Sequence, residues 1–338
     1  MKKSVTVQDI ANSLNLSRNT VSKALNGKPV PIKTRNAVIN AAIEMGYKSY
    51  QVAAATDTSL KQKRFAIISS RLLMSITYHS YILKGIEDSL SEYDIELVQF
   101  RITDDTSFNK FKRYLTEFGV DGIICIEFFN SDYISEILEM GQAFVFMDFP
   151  LTGGMPKGKY DIILPESINT VKNFCTQLIE SKGCKTFGYV GDYKRCFSFY
   201  ERFLGMREAL FLSDLPVDMK YSVTYNDSMS YDTASITEEL KKMDKLPDCF
   251  VAANDFIAVN LLSALNKLGK NVPDDIKIVG FDNTPEAKKT NPPLTSISVN
   301  KTAIGRRMVS LLFERVANPA LINQIVYISS KVVVRAST

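Results

Sequence analysis

Residues 5–27 read VTVQDIANSLNLSRNTVSKALNG, a pattern that predicts two short helices separated by a tight turn. Thr6 can cap the first helix, and Asp9, three residues later, completes a capping box. Apolar residues then recur at the i, i+3, i+4, i+7 spacing of one helical face, at Val7, Ile10, Ala11 and Leu14. The break at Asn15-Leu16 separates this helix from the next.

A second helix is predicted from Arg18 to Leu25, because Ser17 can cap its start and Gly27 can take the positive φ that ends it. The side expected to be buried consists of Val21, Ala24 and Leu25. A third helix should follow Pro31 and end at about Met45, before Gly46. Three short helices with a tight turn between the first two predict a helix-turn-helix.

The second helix has a polar face suited to reading DNA. Arg18, Asn19 and Lys23 lie off its apolar stripe; Arg and Lys can donate to guanine, and Asn can pair with adenine. Short polar side chains that suit phosphate contacts surround them, at Thr6, Ser17, Thr20, Ser22, Asn26 and Thr34. The alternative is a solvated polar face on a small helical bundle.

Charge along the chain is uneven. The first 63 residues contain ten basic and three acidic residues, a net charge of +7, and the other 275 carry −3. A basic head on a slightly acidic body indicates that the head meets a polyanion.

Beyond Phe65, short β-rich runs alternate with helical patterns, which predicts an α/β body with parallel sheets. Two series of similar length predict two doubly wound parallel-sheet lobes. The expected strands are 65–69, 95–100, 122–126, 143–148, 186–191, 221–224, 249–253 and 276–281. The expected domains are a headpiece at 1–48, a connecting segment at 49–63, and the body at 64–338.

Several function classes lack their motifs. We find no dinucleotide fingerprint, Walker A sequence, nucleophile elbow or zinc-protease motif. The five cysteines form no CxxC pair and His79 is the single histidine, so no metal or cofactor is expected. No apolar run approaches the ~18 residues that span a membrane. The N-terminus lacks the apolar core of a signal peptide, so a cytoplasmic protein is expected.

Polar residues follow the predicted strands, where open α/β sheets bind their ligands. They are Ser69, Ser70, Asp148, Asn254, Asp255 and Asp282. Together they could hydrogen-bond a sugar, a polyol or a base, although each one could also be a helix cap or a turn residue.

The chain resembles the LacI/GalR, or lac-repressor, family over most of its length. The headpiece match runs through residues 5–11 and 16–27, and body segments that recur in the family are 84–87, 119–124, 202–210, 252–255, 279–283 and 292–295. The resemblance implies a homodimer that binds a near-palindromic operator, and a periplasmic-binding-protein-like body that binds a small-molecule effector, a sugar or a derivative. It implies base contacts by Arg18, Asn19 and Lys23.

The same resemblance implies effector contacts by Tyr78, His79, Asp148, Arg202, Asn254, Phe281 and Asp282, beside Ser69 and Ser70. It also implies that the chain crosses between lobes near residues 163, 292 and 323. Lobe 1 would then consist of 64–163 and 293–322, and lobe 2 of 164–292 and 323–338.

The resemblance further implies that residues 49–63 form a hinge helix and linker, but this hinge departs from the family pattern. Family members usually insert a leucine into the minor groove, but that position falls on Thr56, after Ala55 and before the acidic Asp57. Threonine is smaller and more polar than leucine, so it makes less apolar contact with the bases in compensation for unstacking a base step. One interpretation is an operator that is bent less or differently; the other is that Leu60 takes the wedge role.

Two other functions stay open at this stage. The body could receive a partner protein in place of a small molecule. It could instead be an enzyme or a transport receptor, with Asp148 and Asp282 as the only candidate acid/base pair. The leading hypothesis is a DNA-binding regulator, a repressor controlled by its effector, without catalytic activity.

Overall fold

The computed structural model describes residues 5–25, 63–73, 77–224 and 230–338, with single residues between them at Val30, Pro31, Thr34, Ala37, Val38, Ala41, Ala42 and Met45. The chain forms two compact units, one of Met1–Lys63 with Tyr93–Glu96 and one of Arg64–Glu92 with Leu97–Thr338.

The first unit contains the two helices that the sequence predicts, α1 (Val7–Ser13) and α2 (Arg18–Leu25). The capping box is present, since Thr6 accepts from the Asp9 N–H and Asp9 accepts from the Thr6 N–H. Residues 34, 37, 38, 41 and 42 are helical, as the third predicted helix requires. These segments share one apolar core, made of Ile10, Ala11, Val21, Ala24, Val38, Ala41 and Ala42. The predicted helix stops Gly27 and Gly46 lie outside the described residues.

The second unit contains two sheets, one in each lobe. The first has the order β2-β1-β3-β4-β5-β10. Its strands are β1 (Arg64–Ser69), β2 (Glu96–Arg101), β3 (Gly122–Ile126), β4 (Ala143–Met147), β5 (Tyr160–Pro165) and β10 (Ile325–Ile328). The order reverses between β1 and β3, which is the doubly wound arrangement expected from the sequence.

The second sheet has the order β6-β7-β8-β9-β11. Its strands are β6 (Phe187–Val190), β7 (Cys249–Ala252), β8 (Lys277–Phe281), β9 (Thr295–Val299) and β11 (Ser330–Val333). The sequence predicted parallel sheets, but β11 runs antiparallel to β9. β10 runs parallel to β5 and so ends at the cleft side of the first sheet, and only Ser329 separates it from β11. The chain therefore enters the second sheet from the cleft side, and β11 runs in the opposite direction to β9.

Helices cover both sheets. The first lobe contains α3 (Thr77–Leu90), α4 (Asp105–Phe118), α5 (Ser131–Leu138) and α11 (Lys301–Ala317). The second contains α6 (Ile168–Lys182), α7 (Phe197–Leu212), α8 (Thr233–Lys241), α9 (Asp255–Lys267) and α10 (Pro285–Lys289).

Helices α3 and α11 meet at two glycines. A Cβ on Gly85 would overlap the carbonyl oxygen of Thr302, and a Cβ on Gly305 would overlap that of Ile82. The two backbones therefore touch without an intervening side chain.

The lobe crossings expected near 163, 292 and 323 are wrong by a few residues. In the structure they fall at 166–167, 300 and 329. The cause is strand pairing: β9 pairs with β8 and β11 in the second sheet, and β10 pairs with β5 in the first. Residues 295–299 and 325–328 therefore belong to the opposite lobes from those expected.

One predicted strand is also absent from its expected place. Residues Met219–Tyr221 form a 3-10 turn, and Val223 makes only an isolated parallel bridge to Val190. The segment lies beside β6, and among the described residues this bridge is its one strand pairing.

Candidate functional site

The exposed face of α2 carries the three side chains that the sequence assigned to base contacts. Arg18, Asn19 and Lys23 are exposed, whereas Val21 and Ala24 on the opposite side are buried. The amphipathic division of this helix is therefore as predicted, and it leaves the polar side chains accessible.

The short hydroxyl residues around α2 have local structural roles as well. Ser17 Oγ accepts from the Thr20 N–H at 3.0 Å and lies 2.8 Å from Thr20 Oγ1. Thr6 Oγ1 donates to Asp9 at 2.7 Å. Ser22 and Thr34 are half-buried. Asn26, Ala55 and Thr56 lie outside the described residues.

A second candidate site is the cleft between the two lobes of the body, at the carboxyl ends of the strands. Four residues there have positive φ although they are not glycine: Glu127 (48°), Asp148 (64°), Asp282 (108°) and Asn283 (50°). Such conformations are strained, and they concentrate where a site must hold side chains in fixed directions.

Asp148, directly after β4, links the lobes. Its carboxylate accepts from the Phe149 N–H at 2.8 Å and, across the cleft, from the N–H of Ser198 at 3.2 Å and from the Ser198 hydroxyl. Burial raises the pKa of Asp148 in spite of these donors. A ligand that binds the Asp148 carboxylate would compete with, or add to, the hydrogen bonds from Ser198 that join the two lobes.

Arg202, on α7, is buried at the floor of the cleft. Its guanidinium carbon lies 3.6 Å from the centre of the Phe281 ring, and one terminal N–H donates to the carbonyl of Ala253. Its Nε is buried and has no hydrogen-bond partner among the described residues. The planar guanidinium stacked on an aromatic ring is a preformed donor for a ligand oxygen.

Asp282 follows Phe281 at the end of β8. Burial raises its pKa to about 7, against the opposing charges of Arg202 and Lys301. Lys301, the first residue of α11, donates to the carbonyl oxygen of Asp282 and lies 5.5 Å from the centre of the Tyr78 ring. Burial lowers the pKa of Lys301.

Tyr78 and His79 enter the cleft region from the start of α3. Their rings are 5.4 Å apart and edge-to-face. His79 Nε2 lies 3.1 Å from Glu127 Oε1, a contact that becomes an ion pair when His79 is protonated. Burial alone would raise the pKa of Glu127, but His79, Arg71 and Arg195 hold it below its ordinary value.

The other predicted strand-end residues have local partners. Ser69 donates to the Arg71 carbonyl at 2.7 Å, Ser70 donates to the Glu127 carbonyl at 2.8 Å, and Asn254 accepts from the Ile257 N–H at 3.0 Å. Asp255 is fully buried, and its carboxylate accepts hydrogen bonds from the Ser296 hydroxyl and the Thr284 N–H. Asp255 therefore stabilises the fold and does not face a ligand.

Sequence reasoning missed Glu127, Lys301 and Glu201. Glu127 follows a predicted buried strand, so the rule that selected Ser69 could have found it. Glu201 Oε1 accepts from the Tyr327 hydroxyl at 2.6 Å, across the lobe boundary, and its other oxygen is buried with no partner among the described residues. Because these two residues are 126 apart in the chain, no local signal marked the contact.

Within the described ranges, no group of three or more His, Cys, Asp and Glu side chains could hold a metal ion. The cysteines are buried free thiols. No helix in the described part of the chain is both long and apolar enough to cross a membrane.

Comparisons with known proteins cover both units. Residues 176–338 match the model of the periplasmic binding protein-like domain. The HTH-type transcriptional regulator GalR of Streptococcus thermophilus is 28% identical, over 98% of this chain and 99% of that protein. A solved complex of the transcriptional regulator CelR with cellobiose has a TM-score of 0.73 at 24% identity and covers 99% of this chain and 100% of that one. The lac repressor dimer bound to operator and an anti-inducer has a TM-score of 0.66 at 21% identity, with 99% of each chain covered.

A helix-turn-helix unit and a two-lobed, periplasmic-binding-protein-like body define a class of transcriptional regulators. The likeness to GalR extends over nearly the full length of both chains. Over nearly its full length the chain is therefore similar to regulators of this class, in line with the resemblance of its sequence to the LacI/GalR family.

Proposed function

We propose that this chain is a homodimeric repressor of transcription that binds a near-palindromic operator and is controlled by a small molecule in the cleft. The observation that carries the proposal is the division of α2 into a buried apolar side and an exposed side with Arg18, Asn19 and Lys23. A recognition helix in the major groove needs this arrangement.

In this proposal, Arg18 and Lys23 donate to guanine and Asn19 pairs with adenine. Phosphate contacts come from Thr6, Ser17, Thr20, Ser22, Asn26 and Thr34, and fix the register of the headpiece on the duplex. Ala55 and Thr56 belong to the hinge at the minor groove. The headpiece is taken as 1–48 and the hinge and linker as 49–63.

The proposed effector is a sugar or a sugar derivative. Support comes from the relatives, since CelR is solved with cellobiose, and from the donors and acceptors that line the cleft. The residues proposed to contact it are Ser69, Ser70, Tyr78, His79, Asp148, Arg202, Asn254, Phe281 and Asp282. Aromatic rings beside carboxylates and a guanidinium suit a polar ligand with an apolar face.

Control of DNA binding follows from the position of the cleft between two lobes. A ligand that contacts both lobes favours one lobe arrangement over others. In a dimer, that choice changes the spacing of the two linkers and hence the order of hinge and headpiece. By linkage, the factor by which the effector changes operator affinity equals the factor by which the operator changes effector affinity.

The proposal includes a cytoplasmic location, with the chromosome, and no catalytic activity. The most buried candidate acid, Asp148, already accepts two hydrogen bonds from Ser198, which leaves it poorly placed to exchange protons with a substrate. Turnover of any sugar by the purified protein would contradict this part.

Selection of duplexes from a random pool by the intact protein tests the function. We expect enrichment of a two-fold symmetric sequence, and loss of that enrichment in the triple variant Arg18→Ala, Asn19→Ala, Lys23→Ala. Circular dichroism of the variant checks that the headpiece still folds. Retention of random DNA without sequence preference, with and without cell metabolites, would overturn the proposal.

A further inference from the structure

Two cations of the cleft, the buried Arg202 and the half-buried Lys301, lack a carboxylate partner. Among residues 63–73, 77–224 and 230–338, neither Arg202 nor Lys301 has a carboxylate oxygen within ion-pair distance, and each donates instead to a backbone carbonyl. Arg202 Nε, in addition, has no hydrogen-bond partner among these residues. Burying a cation without a counter-charge is costly, so this arrangement needs a compensating group.

The carboxylates nearby are committed to other partners or are weakly acidic. Asp148 is held by Phe149 and Ser198. Glu127 faces His79 at 3.1 Å and Arg71 at 3.5 Å. The pKa of Asp282 is raised to about 7, so this group is protonated in a large share of molecules near neutral pH. The carboxylates of the cleft therefore do not neutralise Arg202 and Lys301 fully.

Both cations lie at the same strand end. Arg202 stacks on the ring of Phe281, and Lys301 donates to the backbone of the next residue, Asp282. The two come from different elements, α7 of the second lobe and the start of α11 at the second lobe crossing. The carboxyl of Asp282 interacts with the charges of both, so Arg202 and Lys301 face the same part of the cleft.

We propose that the effector carries an anionic group, a carboxylate or a phosphate, which binds between Arg202 and Lys301. A neutral polyol would offer only dipoles to the buried Arg202 and the half-buried Lys301. An anion offers charge-assisted hydrogen bonds, and a guanidinium fork matches its oxygens. This inference rests on the proposed function, because it assigns the chemical class of the effector in the cleft.

The shared chemistry is an anion on a sugar-sized molecule, and two sources can supply it. One is a sugar acid, the other a sugar phosphate. Thermal denaturation and calorimetry of the intact protein with D-glucose, D-glucuronate and D-glucose 6-phosphate, and with the galactose series, separate these sources. Inorganic phosphate serves as the bare-anion probe.

At least one anionic sugar should raise the melting temperature and bind ~10- to 100-fold more tightly than its neutral counterpart, the range expected for charge-assisted hydrogen bonds. Equal or tighter binding of the neutral sugars overturns the proposal. So does the absence of binding by every anionic probe up to millimolar concentration.

The variant Lys301→Gln tests the seat itself, with Lys267→Gln as the matched control, since Lys267 is an exposed lysine at the end of α9 in the second lobe. Lys301→Gln should weaken binding of the anionic sugar about 10-fold or more. Lys301→Arg should retain most of the affinity, and Lys267→Gln should match the parent protein. Equal losses in the Lys301 and Lys267 variants would contradict the proposal.

The same samples separate failure of this inference from failure of the proposed function. If the protein selects a symmetric operator and a neutral sugar releases it, the function stands and the anionic seat is wrong. If no sequence preference for DNA exists, the proposed function fails, while binding of the anionic sugars at Lys301 remains measurable by calorimetry.

Discussion

The face of α2 and the cleft of the body use polar residues in opposite ways. On α2, Arg18, Asn19 and Lys23 are exposed and stand apart from the small apolar core below them. In the cleft, Asp148, Arg202 and Asp282 are buried. The polar side chains of α2 are still hydrated and lose water only when a large polyanion binds. The polar side chains of the cleft were already removed from water when the protein folded.

This difference determines what substitutions should do. Removing an exposed side chain from α2 changes recognition and leaves folding almost unchanged. Removing a buried polar group from the cleft leaves its partners unsatisfied, and so it changes stability together with binding. Each of the following predictions tests one side of this contrast.

The largest effect is expected for Asp148→Ala. It leaves the buried Ser198 hydroxyl and the Ser198 and Phe149 N–H groups without their acceptor, so the free energy of unfolding should fall by about 2–3 kcal/mol. Urea denaturation of the ligand-free protein measures it. Arg18→Ala is the matched control on the exposed surface, with an expected change within about 0.5 kcal/mol. Similar losses in the two variants would remove the contrast.

The second prediction concerns specificity on α2. Arg18→Ala should weaken binding to the selected operator by about 1–3 kcal/mol and relax the preference at one base pair of each half-site. Thr20→Ala, a proposed phosphate contact, should weaken binding to all duplexes alike. Gel-shift titrations against single-base operator variants distinguish the two outcomes. Unchanged discrimination in Arg18→Ala would refute the assignment of this residue.

A smaller effect is expected for Tyr327→Phe, which removes the hydrogen bond between β10 of the first lobe and Glu201 of the second. The cost should be about 1 kcal/mol in the free energy of unfolding. Because Glu201 neighbours Arg202 on α7, effector affinity measured by calorimetry should change as well. A variant with parental stability and affinity would show that this contact does not couple the lobes.

The smallest effect is a trend with pH. Burial raises the pKa of Asp255 to about 6 and the pKa values of Glu201 and Asp282 to about 7. These values exceed those of the unfolded chain, near 4, so the folded state binds protons more strongly. Their stabilising contribution is complete below about pH 4 and is lost as the pH rises through 7.

The melting temperature of the ligand-free protein should therefore rise when the pH is lowered from 8 to 6. Asp282→Asn should flatten part of this rise, because an amide does not titrate. A melting temperature that falls over the same interval would mean that the buried carboxyls are not the groups that dominate there.

The sequence was most informative where structure is local. The capping box of Thr6 and Asp9 and the stripe of α1 fix the headpiece helices within a few residues, since all contributing contacts lie within one turn. Strands such as β3, buried on both sides, were equally visible. In contrast, β9 reads Thr-Ser-Ile-Ser-Val, a mixed pattern that hides a strand whose membership depends on pairing with β8 and β11.

The cleft residues show the same limit. Arg202 and Asp282 could be placed from the family resemblance, but Lys301 could not, because its position depends on where β9 ends and α11 begins. The Glu201–Tyr327 contact needs the third lobe crossing in its actual position. The sequence therefore predicts that a cleft exists, but it does not predict which charged side chains lie close together inside it.

The glycine contact between α3 and α11 has a mechanical consequence. With Gly85 against Thr302 and Gly305 against Ile82, the two helices cannot slide or separate without losing direct backbone contact along the first lobe. Tyr78 stands at the start of one helix and Lys301 at the start of the other. A displacement of either residue is therefore expected to move both helices together. A methyl group at position 85 or 305 would force the two helices apart.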